Sequence, residues 1–397
     1  MALPDYFRRS AVAAAQVLQG FDEDAIRERL EAVTVGLALG EDALTPEGDV
    51  LAEVSVRLLA RLYPRLAIDE GQDKLADLAL AINPEIELTE QDAEITLAIG
   101  NAPTEGPAIF AGCDGWEAQI SNKSPRPIGQ TTNPFGPSAA ACLAAANLFR
   151  LVFLERGKDT LDSDLTFSTL DLQSRASASP PSTDAVQLGD GNVIVGLGAV
   201  GSAAAFTLSR LEHATGTLSL VDPETIELSN LQRYVLTQRN DDQRPKAALA
   251  AAEFAKQHSG LAIVEHAVDW ATYANRCGYK WERILVALDS ARARRAVQAS
   301  LPRWIANAWT QPGDLGVSVH PWNVGACLCC LYLPAGTTDS EDKLIAEALG
   351  IARPERELQI RQLLYANAAP PLELLQEVAE RLDVPLDVVE PFQDRPL

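Results

Sequence analysis

The chain has no run of about 18 or more consecutive apolar residues, so the sequence offers no membrane-spanning helix. Basic residues are scarce, with 33 Lys and Arg against 55 Asp and Glu and a formal net charge of -22. That balance opposes counterion-release binding to a nucleic-acid backbone and attraction to an anionic membrane surface. A nucleoside triphosphate is a different case, because a few local cations suffice for it. Cysteines are few, six in all, and Cys327, Cys329 and Cys330 crowd into one stretch. Adjacent thiols cannot all form ordinary structural bridges, which points to a reducing compartment and a cytoplasmic protein. The string Phe7-Arg8-Arg9-Ser10 lacks the long apolar run and small-residue cleavage site of an export signal, and reads as part of an amphipathic helix.

What is present is a chain of 397 residues, 47% of them hydrophobic, with room for two or three domains. Its chemistry concentrates between Asn192 and Lys246. The run Asn192-Val-Ile-Val-Gly196-Leu-Gly198-Ala-Val-Gly201 is a short β-branched strand ending in glycines and opening into an Ala-rich helix, the pattern of a nucleotide-binding βαβ unit. Gly196 permits the tight turn, Gly198 lets backbone N–H groups approach a phosphate, and Gly201 lets the helix pack closely on the strand. The helix start then presents unpaired N–H groups to the anion. Asp222 ends the next strand, Thr217 to Val221, where a carboxylate can accept both ribose hydroxyls. Further on, Arg283-Ile-Leu-Val-Ala-Leu-Asp289 reads as a buried parallel strand with an acid at its carboxyl end, where open α/β sheets place ligands. Asp289 could also cap the helix that starts near Ala291.

The string Val221-Asp-Pro-Glu-Thr-Ile-Glu-Leu-Ser-Asn230-Leu-Gln-Arg233, followed by Arg244-Pro-Lys246, resembles the ThiF/MoeB/HesA family of adenylating enzymes and the related ubiquitin-activating enzymes. The resemblance is strong from about Asn192 to Pro334. It implies an α/β fold with a Rossmann-like doubly wound sheet, and transfer of AMP from ATP to the C-terminal carboxylate of a ubiquitin-like or sulfur-carrier protein ending in Gly-Gly. Such a carboxylate, with a pKa of roughly 3.3 to 3.7, needs no general base at neutral pH. The reaction needs charge compensation, so cations and Mg at the phosphates carry the catalysis. By resemblance Arg233 and Lys246 contact the phosphates, Asn230 is a nearby polar contact, Asp289 binds Mg, and Arg8 reaches the phosphates of a neighbouring domain. The family often has Asn after that aspartate, where this chain has Ser290.

In the amino-terminal half, residues 22–67 read as helical, interrupted at Pro46 and Gly48. Ile95 to Gly100 and Ala108 to Asp114 read as buried strands, and an Asn133-Pro-Phe-Gly136 turn leads into an Ala-rich helix, Ser138 to Phe149. This resembles the closing part of an adenylating domain without its glycine loop. The expectation is a degenerate, inactive copy over 1–172 that stands in for a second subunit, a linker over 173–190, an active domain over 191–338 and a helical segment over 339–397. The assembly is then a homodimer or an internal pseudo-dimer. An unrelated scaffold domain is the competing reading of the first half. Cys113 and Cys142 read as buried, inert thiols.

Cys327 and Cys330 form half of a zinc site such as family members hold, but four ligands are needed, no cysteine follows, and only His320 is near. Cys329 is the candidate for a thioester-forming thiol, although Leu328, Leu331 and Leu333 suggest a buried strand. Residues 339–390 read as three short helices, one with a Leu372, Leu375, Ala379, Leu382 stripe. The second half lacks an Asn-Pro-x-Gly turn and the helix after it, as in a fragment or in an enzyme that adenylates without forming its own thioester. The size of the first half favours conjugation, together with a ubiquitin-conjugating-like enzyme, and bacterial antiviral systems are one setting by resemblance. The competing functions are a non-catalytic nucleotide-binding scaffold and an NAD-dependent oxidoreductase. The latter lacks an evident hydride-transfer acid or base.

Overall fold

The computed structural model describes residues 23–69, 71–89, 93–153, 161–174, 179–257, 259–311, 314–333 and 340–396. The first half runs α1 (Glu23–Ala32), β1 (Val35–Leu39), α2 (Pro46–Leu59), β2 (Arg65–Ile68), α3 (Asp73–Ile82), β3 (Glu87–Thr89), β4 (Ile95–Ile99), β5 (Ala108–Asp114), β6 (Glu117–Ser121), α4 (Phe135–Val152) and β7 (Asp164–Ser168). Among the described residues these strands make one sheet in the order β3-β2-β1-β4-β5-β6-β7. The first five are parallel, and β6 and β7 join antiparallel.

Helix across 22–67 is therefore corrected. Val35 and Leu37 of β1 and Leu66 of β2 are fully buried, as parallel central strands require. Pro46 starts a helix instead of breaking one. It sits in the first turn of α2 behind the N-cap Thr45, whose side chain accepts from the Gly48 N–H at 3.2 Å. The Ala-rich helix extends beyond its expected limits to form α4, long and apolar enough by length and composition to cross a membrane. It is a core helix here: Ala140, Ala141, Ala144 and Leu148 are fully buried and it packs on β4, β5 and β6. Cys113 is buried in β5, whereas Cys142 lies on the exposed side of α4, against expectation.

The second half contains β8 (Gln187–Val195), α5 (Ala199–Ser209), β9 (Thr215–Val221), α6 (Lys246–Lys256), β10 (Leu261–His266), α7 (Trp270–Cys277), β11 (Arg283–Val286), α8 (Ala291–Ala299), β12 (Trp304–Gln311), β13 (Asp314–Pro321) and the one-turn α9 (Leu328–Leu331). Its sheet has the order β10-β9-β8-β11-β12-β13, with only β13 antiparallel. Pairing of Gln187 with Thr215 means that the connection between halves ends before residue 187, earlier than the expected 190.

The two sheets repeat one topology. In each, the first strand lies central, the next two step outward on one side, and the fourth and fifth continue on the other. The repeat reaches side-chain detail. Asp69, just beyond β2, accepts from the Leu39 N–H at 3.0 Å, and Asp222, just beyond β9, accepts from the Leu197 N–H at 2.6 Å.

The halves share a continuous core that includes Leu51 and Leu59 from α2 and Phe206 from α5. Its polar seam is built on Glu53. That carboxylate takes Arg57 at 2.8 Å from its own helix and Arg210 at 2.8 Å from the second half, and Arg210 also reaches Glu253 at 2.8 Å. Arg57 and Arg61 donate to the Val235 carbonyl at 2.9 and 3.0 Å, and Arg61 to the Thr237 carbonyl at 2.7 Å.

The described residues from Leu333 onward form a separate compact unit. Among the described residues it holds α10 (Glu341–Ala348), α11 (Pro354–Ala366), α12 (Leu372–Leu382) and α13 (Leu386–Val389), four helices where three were expected. The stripe on α12 is rotated from its expected place. Leu374, Leu375, Val378 and Ala379 face this unit's core, while Leu372 and Leu382 are exposed.

Candidate active site

A cavity of about 510 Å³ lies at the carboxyl ends of β8, β9 and β11. Gly196, Gly198, Asp222, Glu224, Arg233, Tyr234, Lys246, Asp289 and Arg294 all line it. Gly196 has a φ of +85°, and a Cβ there would lie 2.6 Å from the Ala287 carbonyl oxygen. Gly201 lies beneath the cavity and does not line it; its Cβ would lie 1.8 Å from the Gly196 oxygen, so only glycine lets α5 approach β8. Gly198 differs from both. The nearest group to its Cβ position is the Tyr234 hydroxyl at 3.5 Å, which leaves backbone open to the cavity.

Gly198 and Gly201 make separable predictions. Gly201→Ala is expected to lower the unfolding free energy by about 1–3 kcal/mol, through forced separation of helix and strand. Gly198→Ala is expected to keep the wild-type denaturation midpoint and weaken binding of a ligand in the cavity. Urea denaturation and nucleotide titration of both variants check this.

Asp222 is buried, and accepts from the Leu197 N–H through one oxygen and from the Glu224 N–H at 2.8 Å through the other. Burial raises its pKa despite those bonds, and the residue lines the cavity. Lys246, the first residue of α6, is only 4% exposed and donates to Glu224 and to the Tyr234 hydroxyl. Burial works against its charge, and Glu224, Tyr234 and Asp222 together more than offset it, so its pKa lies above the ordinary lysine value. Arg233 is exposed at the cavity wall, its guanidinium 5.2 Å from the centre of the Tyr234 ring.

Asn230, expected as a polar contact near the phosphates, does not itself line the cavity. It is buried, and its side-chain oxygen accepts from the Glu227 N–H at 3.1 Å in a reciprocal capping box that shapes the turn before Arg233. The cap of α8 is Ser290, which accepts from the Ala293 N–H at 3.1 Å. That frees the Asp289 carboxylate from the capping role and explains why Ser serves after it. Arg8 lies outside the described residues.

Sequence reading missed Arg294, which is buried, lines the cavity and donates to the Asn307 side chain and to the Ala308 carbonyl at 2.9 Å. Desolvation lowers its pKa, with the Tyr332 ring and Asp289 opposing. Helix α8 also carries Arg292 and Arg295, and nothing in the sequence singles out the middle arginine.

The cysteine stretch is a helical turn, not a buried strand. Leu328 is buried, but Leu331 and Leu333 are exposed, and Cys330 is exposed as well. The Cys327 and Cys330 sulfurs lie 3.6 Å apart. His320 bonds through its two ring nitrogens to Ser318 and to the Ala326 carbonyl. Among the described residues no group of three or more His, Cys, Asp or Glu can hold a metal ion, so zinc is unsupported. Cys329 is half-buried; burial raises its thiol pKa, which does not suit a thioester nucleophile.

Comparison with known proteins matches residues 191–349 to the ThiF family and residues 38–154 to Prokaryotic E2 family C. The chain is 40% identical over 414 residues to the uncharacterized protein y4jF of Sinorhizobium fredii (strain NBRC 101917 / NGR234), covering all of this chain and 79% of that one. It is 28% identical over 146 residues to the sulfur carrier protein ThiS adenylyltransferase of Escherichia coli (strain K12), covering 35% of this chain and 57% of that protein. A crystal structure of E. coli MccB with MccA-N7isoASN matches 49% of this chain and 58% of its own, at 16% identity and a TM-score of 0.33. The ThiF match contains every cavity residue named above, and the chain belongs to the ThiF/MoeB-like family.

Proposed function

We propose that the protein is an ATP-dependent adenylyltransferase that activates the C-terminal carboxylate of a ubiquitin-like or sulfur-carrier protein and releases pyrophosphate. The observation that carries this reading is one cavity holding Gly198 backbone, Asp222, Arg233, Lys246 and Asp289 together. A carboxylate oxygen attacks the α-phosphorus, the bond to the bridging α–β oxygen breaks, and pyrophosphate departs with its electron pair. No proton moves, so the side chains act by charge. Lys246 and Arg233 offset the charge that develops on the phosphates, Asp222 takes the ribose hydroxyls, and the open backbone at Gly198 admits the phosphates closely. The site suits Mg: the ion takes one or two carboxylates together with phosphate oxygens, and Asp289 lines the same cavity. When bound, Mg supplies further neutralisation of the triphosphate.

The amino-terminal half is read as an inactive copy making an internal pseudo-dimer, on the shared strand order and on the matched Asp69 and Asp222 contacts. In that half the corresponding turn carries its own anion. Asp42 accepts from the Asn101 N–H at 2.7 Å and the Ile128 N–H at 3.2 Å, so this turn holds a carboxylate, which opposes a phosphate there. Titration with a nonhydrolysable ATP analogue is expected to give one site per chain; two would contradict the inactive copy. The match of this half to a prokaryotic E2 family supports a conjugation pathway. Cys113 is a poor thioester carrier, being buried beside Glu47 with its thiol pKa raised well above the ordinary value, chiefly by desolvation. A separate conjugating enzyme then receives the activated protein.

The direct test is to incubate the protein with ATP, Mg and small proteins ending in Gly-Gly, then read intact masses. An AMP adduct on the carboxyl terminus of one of them is expected. ATP binding without an adduct on any such protein would contradict the reading.

A further inference from the structure

We propose that Glu224 is the resting counter-ion of Lys246, holding the place at the ammonium that a phosphate oxygen takes when a triphosphate binds. This rests on the reading of the cavity as a nucleotide site. Lys246 is 4% exposed, whereas the Glu224 side chain is 68% exposed and lines the cavity, so the carboxylate meets a buried cation from the solvent side. Among the described residues the ammonium also donates to the Tyr234 hydroxyl at 3.3 Å, and the Asp222 carboxylate attracts it as well. A buried ammonium without an anion is costly, and Glu224 removes that cost while the cavity holds no nucleotide.

The backbone around the pair is fixed, which confines the change to a side chain. Lys246 N–H donates to the Glu224 carbonyl at 3.0 Å, Ile226 N–H donates to the Arg244 carbonyl at 2.8 Å, and Thr225 pairs antiparallel with Pro245. Glu224 N–H donates in turn to Asp222. The exposed carboxylate can therefore swing to solvent while Lys246 and Asp222 stay in place. Triphosphate and Glu224 compete for one ammonium, so part of the binding free energy is spent on displacing the carboxylate.

The test is Glu224→Gln, which keeps shape and removes charge. Affinity for ATP is measured by calorimetry, and the thermal midpoint is measured with and without saturating ATP. The expected result is a lower midpoint without nucleotide, a several-fold tighter Kd for ATP, and a larger nucleotide-induced rise in midpoint than in wild type. Glu224→Asp, which keeps the charge on a shorter arm, is expected to fall between the two. A Kd unchanged or weakened in Glu224→Gln overturns the proposal, since a structural contact or a nucleotide ligand would give that result. Wild-type protein that binds no ATP overturns the nucleotide-site reading itself, a separate failure.

Discussion

Lys246→Ala is expected to slow adenylate formation by about a hundredfold, or ~3 kcal/mol of transition-state stabilisation, the scale at which a preorganised charge acts on a developing one. The physical reason is placement: the ammonium is buried, charged and held at the cavity wall before substrate arrives. The fold should survive, because the partner left behind, Glu224, is mostly exposed and solvated. Arg233→Ala should act in the same direction, and it too spares the fold because Arg233 is exposed. Single-turnover rates with unchanged circular dichroism check both variants. Wild-type rates in the two would falsify the proposed phosphate clamp.

Glu53→Ala is expected to lose stability on the scale of about 3 kcal/mol, the cost of leaving a buried charge, that of Arg57, without its partner. Two buried arginines bond to that carboxylate, the Arg57 side chain 1% exposed and that of Arg210 6%; Arg210 keeps Glu253 at 2.8 Å, so Arg57 is the one left without a carboxylate. Both arginines also bracket the Phe206 ring, with guanidinium-to-centroid distances of 5.3 and 3.4 Å, so losing the anion disturbs the apolar seam between halves. The same contacts set a pH dependence. Burial alone would raise the Glu53 pKa, but the charges and hydrogen bonds of Arg57 and Arg210 outweigh it and leave it lowered. A carboxyl group with a depressed folded-state pKa contributes stability that is complete above its ordinary value of about 4.3 and is lost as pH falls through the folded value. Wild-type protein should therefore lose stability in acid below about pH 4 with a steeper slope than Glu53→Ala. Chemical denaturation at a series of pH values checks both statements.

The second half was largely legible because its elements follow short-range rules. The Val193 to Gly201 run has to be a strand, turn and helix, and the acids Asp222 and Asp289 mark the carboxyl ends of apolar runs. The motif string after Asp222 located the cavity but not each residue's part in it. Asn230 belongs to the motif, yet its amide shapes the turn, and Glu224 lay inside the same string without a signal for its ion pair. Arg294 was hidden because three arginines on one helix differ only in the direction they face, which packing decides.

The first half was harder for a different reason. Val35 to Leu39 and Arg65 to Ile68 are short apolar stretches next to long helix-forming sequence, and a short apolar run does not distinguish buried strand from buried helix. Pro46 has the look of a breaker in the sequence, and only its place directly behind the cap Thr45 makes it a helix start. In the cysteine turn, leucines on either side imitated a buried strand, but two of them face solvent.

The central claim, acyl-adenylate formation in this cavity, is tested most directly by ATP–pyrophosphate exchange, using labelled pyrophosphate and Mg with small proteins ending in Gly-Gly added one at a time. The prediction is exchange that starts only when one such protein is present and vanishes in Asp289→Ala. Exchange that persists unchanged in Asp289→Ala, or that is absent with every candidate protein although ATP binds, would contradict it.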